Sequence, residues 1–256
     1  MTNIQKTFLA PSSTELHYLH ELSMAAEFQR AVLSNIVNTD YLDIAVHYQP
    51  LEMVSGDIYD FKLNREKELG IFVGDATGHG ITAALMTMMV HIAFDNLTPN
   101  MATDKSIRKL NQLIAIRDTH RFVTGVFFRV SPNGQVSVTH AGHPSIIIVP
   151  KNRNKLVTFN QAGCPLGLFD HEPVTYVEET YQLEKGDKII AYTDGLIEQS
   201  NTSKEYYGEQ RLQNLLSLNR TDSSKACLEL IKKDLYEFAS STCARDDITL
   251  LVATYH

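Results

Sequence analysis

The stretch "GIFVGDATGHGITAALMTMMV", Gly70 to Val90, decides how the chain is read. Its apolar run ends at Asp75, turns through Thr77, Gly78, His79 and Gly80, then becomes an apolar segment of helical character. Glycines at a strand-to-helix turn let a backbone cradle phosphate, so a nucleotide loop is the first reading to test. A Walker loop spaces its glycines by four residues and follows them with Gly-Lys-Ser/Thr. Here the glycines stand at 74, 78 and 80, and no lysine follows. What remains is a carboxylate at the end of a strand, and the question is what it holds.

Outward from this stretch, the chain reads as α+β with mainly antiparallel sheets covered by helices. Residues 12–37 form a helix started by Pro11, Ser12 and Ser13. Its Leu19, Leu22, Ala26, Gln29, Leu33 and Ile36 make a short seam, which packs on its own domain or on a dimer or partner helix. Strands follow in "YLDIAVHYQP", "VSGDIYDFKL" and "ELGIFVGD", then two helices over 80–97 and 104–118. "RFVTGVFFRV" and "GQVSVTHAG" form a strand pair around a turn at Ser131–Gly134. "SIIIVP", "VTYVEETYQL" and "GDKIIAYTDG" are further strands, 207–218 and 222–239 are helices, and "DDITLLVATY" is the closing strand. The one boundary falls near residue 40, giving a helical segment at 1–38 and a domain at 39–256.

Composition narrows the partners. The chain has 256 residues, 43% hydrophobic and 21% charged, with a net charge of −7 and interspersed signs. That balance argues against a nucleic-acid partner, which calls for a basic patch. Cys164, Cys227 and Cys243 form no CxxC pair and fit reduced thiols in a cytoplasm. The start "MTNIQKTFLAPSS" lacks a signal-peptide core, and no apolar run reaches the roughly 18 residues of a membrane span. The expectation is a soluble cytoplasmic protein without a membrane partner.

Aspartate recurs at strand ends: Asp57, Asp75, Asp194 and the pair Asp246–Asp247. One such Asp is a turn cap. Several with the same grammar leave two readings open: separate turn caps, or carboxylates meeting around divalent cations that offset their repulsion. An all-oxygen donor set suits Mg²⁺ or Mn²⁺ rather than zinc. A cysteine phosphatase needs Cys-x5-Arg, but Asp170 follows Cys164 at that distance and Thr249 follows Cys243.

Six ordered blocks, "SGDIYDF", "GDATGHGITAAL", "AGHPSIIIV", "GCPLGL", "GDKIIAYTDGLIE" and "DDITLLV", resemble bacterial PPM-type (protein phosphatase 2C-like) serine/threonine phosphatases. The branch most similar is that of the sporulation stage II E and RsbU-like phosphatases, and "AAEFQRAVL" resembles the helix linking a sensor to such a domain. The resemblance implies an αββα sandwich of two antiparallel β-sheets flanked by helices, with two Mn²⁺ or Mg²⁺ ions at one end. It implies that Asp75 bridges the ions, that the Ala76 carbonyl adds an oxygen, that Asp194 and Asp246 complete one ion's ligands, and that Asp57 holds the more hydrated ion. Asp75 and Asp194 then act catalytically through a metal-held water, with Asp247, His79 and Gly195 in supporting positions. A general-acid histidine of some relatives would fall at Thr77, so that role does not transfer.

The implied function is dephosphorylation of phosphoserine or phosphothreonine on a bacterial signalling protein, a STAS-type anti-sigma-factor antagonist. The alternative is a degenerate module that binds a phosphoprotein without turnover, and Ser55, where the family usually has glycine, keeps it open. The N-terminal helix is either the remnant of a sensor linker or itself the input, through a homodimer or a sensor partner. His140 and His143 read as turn hydrogen-bonders, "GCPLGL" as a loop shaping the site, and Glu198 as supporting or solvated. Arg30, Arg65 and Arg121 could each meet a phosphate, and the sequence does not choose among them.

Overall fold

Along β3 (Leu69–Ala76), alternate side chains serve two different cores. Leu69, Ile71 and Val73 face the opposite sheet, whereas Phe72 and Ala76 face helices. Period two does this, because successive strand residues point to opposite faces. A strand covered on both faces reads as a continuous apolar run rather than as alternation. The structure is a computed structural model, and it describes residues 12–33, 35–115, 121–152, 155–159, 161–169, 174–219, 221–240, 242 and 244–256.

Two five-stranded antiparallel sheets stack face to face. One runs β1 (Leu42–Gln49), β10 (Ile248–Tyr255), β9 (Lys188–Tyr192), β6 (Ile147–Val149) and β7 (Val157–Thr158). The other runs β2 (Asp57–Leu63), β3, β4 (Val123–Val130), β5 (Gln135–Ala141) and β8 (Glu179–Gln182). Between them Ile71, Val126 and Phe128 meet Ile189, Leu251 and Ala253. The helices α2 (Ile81–Asp95) and α3 (Thr103–Ile114) cover the second sheet through Val90, Phe94 and Leu110. Three helices, α4 (Asp194–Glu198), α5 (Glu209–Leu218) and α6 (Ser224–Ala239), cover the first through Leu196, Leu212 and Ile231. This is the αββα sandwich that the resemblance implied.

The differences from the sequence reading have local causes. The first helix, α1 (Ser13–Val32), starts as expected with a Ser12–Glu15 capping box. It ends short of residue 37, and Leu33 leaves the helix to pack with α2 and β2. The seam packs on its own domain, the first of the two expected readings, through Leu22, Ala26, Gln29 and Leu33, while its end members Leu19 and Ile36 are exposed. The strand expected over "VTYVEETYQL" shrinks to β8, because Glu178 turns away to accept the Thr103 N–H (2.8 Å) and cap α3. Two elements were not expected, the short strand β7 and the single turn of α4 that begins at Asp194. Cys164 and Cys227 are free thiols; Cys243, residues 1–11 and the end of the 104–118 helix lie outside the described residues.

Candidate metal centre

Antiparallel pairing sets the start of one strand beside the end of the next. Asp57, the first residue of β2, stands directly opposite Asp75 near the end of β3. Both continue the inward-facing parity of Phe61, Ile71 and Val73, so they lie where the inter-sheet core turns polar. On the other sheet, the parity of Ile189 and Ala191 carries on to Thr193, and that of Leu251 runs back to Thr249. These two hydroxyls cross the gap: Thr193 Oγ1 and Thr249 Oγ1 donate to Asp57 Oδ2 at 2.8 and 2.6 Å. Asp57 is 1% exposed and ties the sheets together.

Asp194 opens α4 immediately beyond β9, and Asp246–Asp247 lead into β10, the strand paired with β9. Gly195 permits this approach, since a Cβ there would lie 2.0 Å from the Asp247 carbonyl oxygen and 3.3 Å from the Asp246 Cβ. Asp246 Oδ1 accepts the Asp247 N–H at 2.9 Å. Asp247 has both oxygens committed, accepting the Leu51 and Gly56 N–H groups at 2.6 Å each. It fixes the turn before Asp57. Gly56 in turn lies against the next loop, where a Cβ would stand 3.0 Å from the Ala76 carbonyl oxygen. The Ala76 N–H donates to the Gly56 carbonyl at 2.9 Å, tying the turn before Asp57 to the end of the Asp75 strand.

The acids feel one another. Burial, then the charges of Asp57, Asp194, Asp246 and Asp247, push the Asp75 carboxyl up to about 9. Burial, Glu198 and Asp246 lift Asp194 to about 6. Burial also raises Asp57 well above the carboxylate range, against the pull of the Thr249 and Thr193 hydroxyls, and raises Asp246 with help from Asp247. Carboxylates confined this way favour either protons or cations. The surrounding donors are oxygen, which fits a hard divalent ion. Among the described residues, no group of three or more His, Cys, Asp or Glu side chains stands close enough together to hold a metal ion. Mg²⁺-type ions do not demand one, because they keep several waters and take one or two carboxylates.

A family model described as stage II sporulation protein E (SpoIIE) matches residues 65–256. The chain belongs to the SpoIIE family. Phosphoserine phosphatase RsbU of Bacillus subtilis is 26% identical over 91% of this chain and 69% of its own length. The SiaA-PP2C domain of Pseudomonas aeruginosa superposes with a TM-score of 0.81 at 20% identity, covering 96% of this chain and all of that one. The catalytic domain of the phosphatase PstP, solved with two manganese ions, superposes with a TM-score of 0.58 at 15% identity, covering 84% of this chain and 98% of that one. The chain spans 44%, 69% and 47% of three curated relatives it matches.

Set in this SpoIIE-family frame, Ser55 leaves Asp57 in place. Ser55 Oγ accepts the Asp57 N–H at 3.1 Å, and its own N–H and carbonyl are held by the Gln29 side chain of α1 at 2.9 and 2.8 Å. His79 sits exposed on the lip, its Nδ1 2.9 Å from Glu52 Oε1. Of the three arginines, Arg121 reaches the loop after Asp75, where its Nη1 donates to the Thr77 carbonyl at 2.8 Å. Arg65 belongs to the β2–β3 turn at the far end of the sheet. "GCPLGL" is pinned beside β4, with Leu166 and Val123 exchanging backbone hydrogen bonds at 2.8 and 2.9 Å. Sequence reasoning missed Thr193, Thr249, Gln29 and Glu52. Strand parity signals the two threonines; nothing in the sequence signals the other two.

Proposed function

We propose that this SpoIIE-family chain is a metal-dependent phosphatase of phosphoserine and phosphothreonine in proteins. Asp75 would bridge two Mn²⁺ or Mg²⁺ ions, with Asp57, the Ala76 carbonyl, Asp194 and Asp246 as further ligands. Asp247, whose oxygens are both taken by backbone N–H groups, is left in a supporting role. One observation carries the reading: acids far apart in the chain share one end of the sandwich and raise one another's pKa. When bound, paired divalent ions supply a water acidified toward neutrality and charge stabilisation for the phosphoryl oxygens.

The chain's own residues do the rest. Thr193 and Thr249 fix the Asp57 carboxylate, and Gly195 lets Asp194 close on Asp246. Arg121 steadies the turn that carries the Ala76 carbonyl. Water adds to phosphorus, the P–O ester bond breaks, and the serine or threonine oxygen leaves with a proton. No phosphoenzyme is needed, in keeping with the missing Cys-x5-Arg pattern.

The substrate we infer is a phosphorylated regulatory protein of the STAS-type antagonist class, met in the cytoplasm. Among the described residues no helix is long and apolar enough to cross a membrane. The division at residues 38 and 39 is proposed on the same footing. So is a role for α1 in holding a second copy or a sensor, supported by exposed Leu16, Tyr18, Leu19, Met24 and Phe28.

Phosphate release from p-nitrophenyl phosphate tests the chemistry. Mn²⁺-dependent turnover is expected, with Asp75→Asn and Asp194→Asn each losing at least about a hundredfold, a loss of roughly 2.7 kcal/mol in transition-state stabilisation. Activity that survives a strong chelator, or both substitutions, removes the proposal. A chain that binds the phosphoprotein with no phosphate release would instead be the non-catalytic module.

A further inference from the structure

The polar end of the inter-sheet layer holds one side chain that the acids do not account for. His143 follows β5 and is 5% exposed. Its Nδ1 lies 3.0 Å from Thr124 Oγ1 on β4. Thr124 stands directly opposite Asp75 in the β3–β4 register. The backbone carbonyl of Tyr192 also acts on the imidazole. Tyr192 ends β9, two residues before Asp194. Nε2 is buried and finds no partner of full hydrogen-bond geometry among the described residues.

A buried imidazole with one ring nitrogen unpaired is costly, and an apolar residue would fill the same space without that cost. Burial and the neighbouring His140 hold His143 neutral, with its pKa pushed down to about 3. A neutral imidazole carries one donor and one acceptor. If Thr124 Oγ1 donates to Nδ1, the proton sits on Nε2 and is available to the Tyr192 carbonyl. The ring then links Thr124, the register partner of Asp75 on one sheet, to Tyr192, two residues before Asp194 on the other.

We propose that His143 is a positioning residue that sets the separation between the Asp75 edge of one sheet and the Asp194 edge of the other, and thereby the affinity for the paired cations. The proposal rests on the metal-dependent reading above. It gives the "AGHP" turn a purpose beyond closing a loop: the spacing of ligands that come from different sheets.

Titrating Mn²⁺ into the metal-free full chain by calorimetry tests it, beside thermal unfolding and p-nitrophenyl phosphate kinetics. Wild type should bind Mn²⁺; absence of any binding sinks the metal reading and this proposal with it. His143→Leu should stay folded and bind Mn²⁺ about tenfold more weakly, an effect of about 1.4 kcal/mol. KM at saturating Mn²⁺ should be unchanged. Thr124→Val, which removes only the hydroxyl, should weaken binding similarly, and the double variant should be no worse than His143→Leu. His143→Gln, whose amide can still donate toward Tyr192, should recover part of the affinity. If His143→Leu fails to fold, Thr124→Val decides. Wild-type Mn²⁺ affinity in Thr124→Val, or activity lost from folded His143→Leu at unchanged affinity, overturns the positioning role.

Discussion

At the scale of single residues, the same chemical group does different work according to its partners. Asp246 and Asp247 are neighbours, yet Asp247 is buried and accepts two backbone N–H groups from other segments, while Asp246 accepts only the adjacent N–H and is partly exposed. His140 and His143 divide in a similar way. Nε2 of His140 accepts the Ile146 N–H at 3.3 Å, and burial holds the ring neutral, with its pKa pushed down to about 4. Because the folded value lies below the unfolded one, the unfolded chain takes up this proton first as pH falls. The His140 contribution is therefore complete above about pH 6.5 and is lost as pH drops toward 4. His140→Gln lacks that loss. Denaturant midpoints of wild type and variant should converge or cross between pH 7 and 4, by on the order of 2–3 kcal/mol in relative stability. A gap that stays constant across this range would show that His140 has the same pKa in the folded and unfolded chain.

At the scale of elements, α1 is more than an appendage to the sandwich. Its Gln29 is 4% exposed and grips Ser55 through both N–H and C=O, while its Nε2 also reaches Thr87 Oγ1 on α2 at 3.1 Å. Ser55 in turn receives the Asp57 N–H, so two hydrogen-bonded links separate the helix from the acid cluster. Gln29→Leu would leave the Ser55 N–H and carbonyl buried without partners, which costs about 1–3 kcal/mol for each unsatisfied group. We expect a fall in melting temperature of several degrees and a raised Mn²⁺ requirement. Unchanged melting and unchanged Mn²⁺ dependence would show that the Gln29 contacts are dispensable. The element level is also where sequence reading failed most visibly. The helix end at Val32 depends on where Leu33 finds apolar partners, and the shortening of β8 depends on Glu178 capping a helix 75 residues earlier. Local pattern contains neither fact.

At the scale of the molecule, the sandwich places buried acids at one end of its inter-sheet layer. Folding without a counter-charge leaves their repulsion in place, so a cation that binds only the folded form stabilises it by linkage. Saturating Mn²⁺ should raise the melting temperature of wild type by about 5–10 °C, corresponding to roughly 2.7 kcal/mol at a hundredfold excess over Kd. Asp75→Asn should abolish most of that rise while remaining folded. A Mn²⁺ shift of equal size in both proteins would place the binding elsewhere.

The sequence by itself determined the residue types, the strand parities and the acids at strand ends, because alternation and turn chemistry are local. From these, the two-sheet architecture was legible once the ordered blocks were recognised. Only the tertiary structure decided that Thr193 and Thr249 hold Asp57 from the opposite sheet, that Asp247 is used up by Leu51 and Gly56, and that His143 lies between Thr124 and Tyr192. The physical reason is range. A strand's own sequence sets which face a side chain takes, but its hydrogen-bond partner is set by which other strand is packed across the gap.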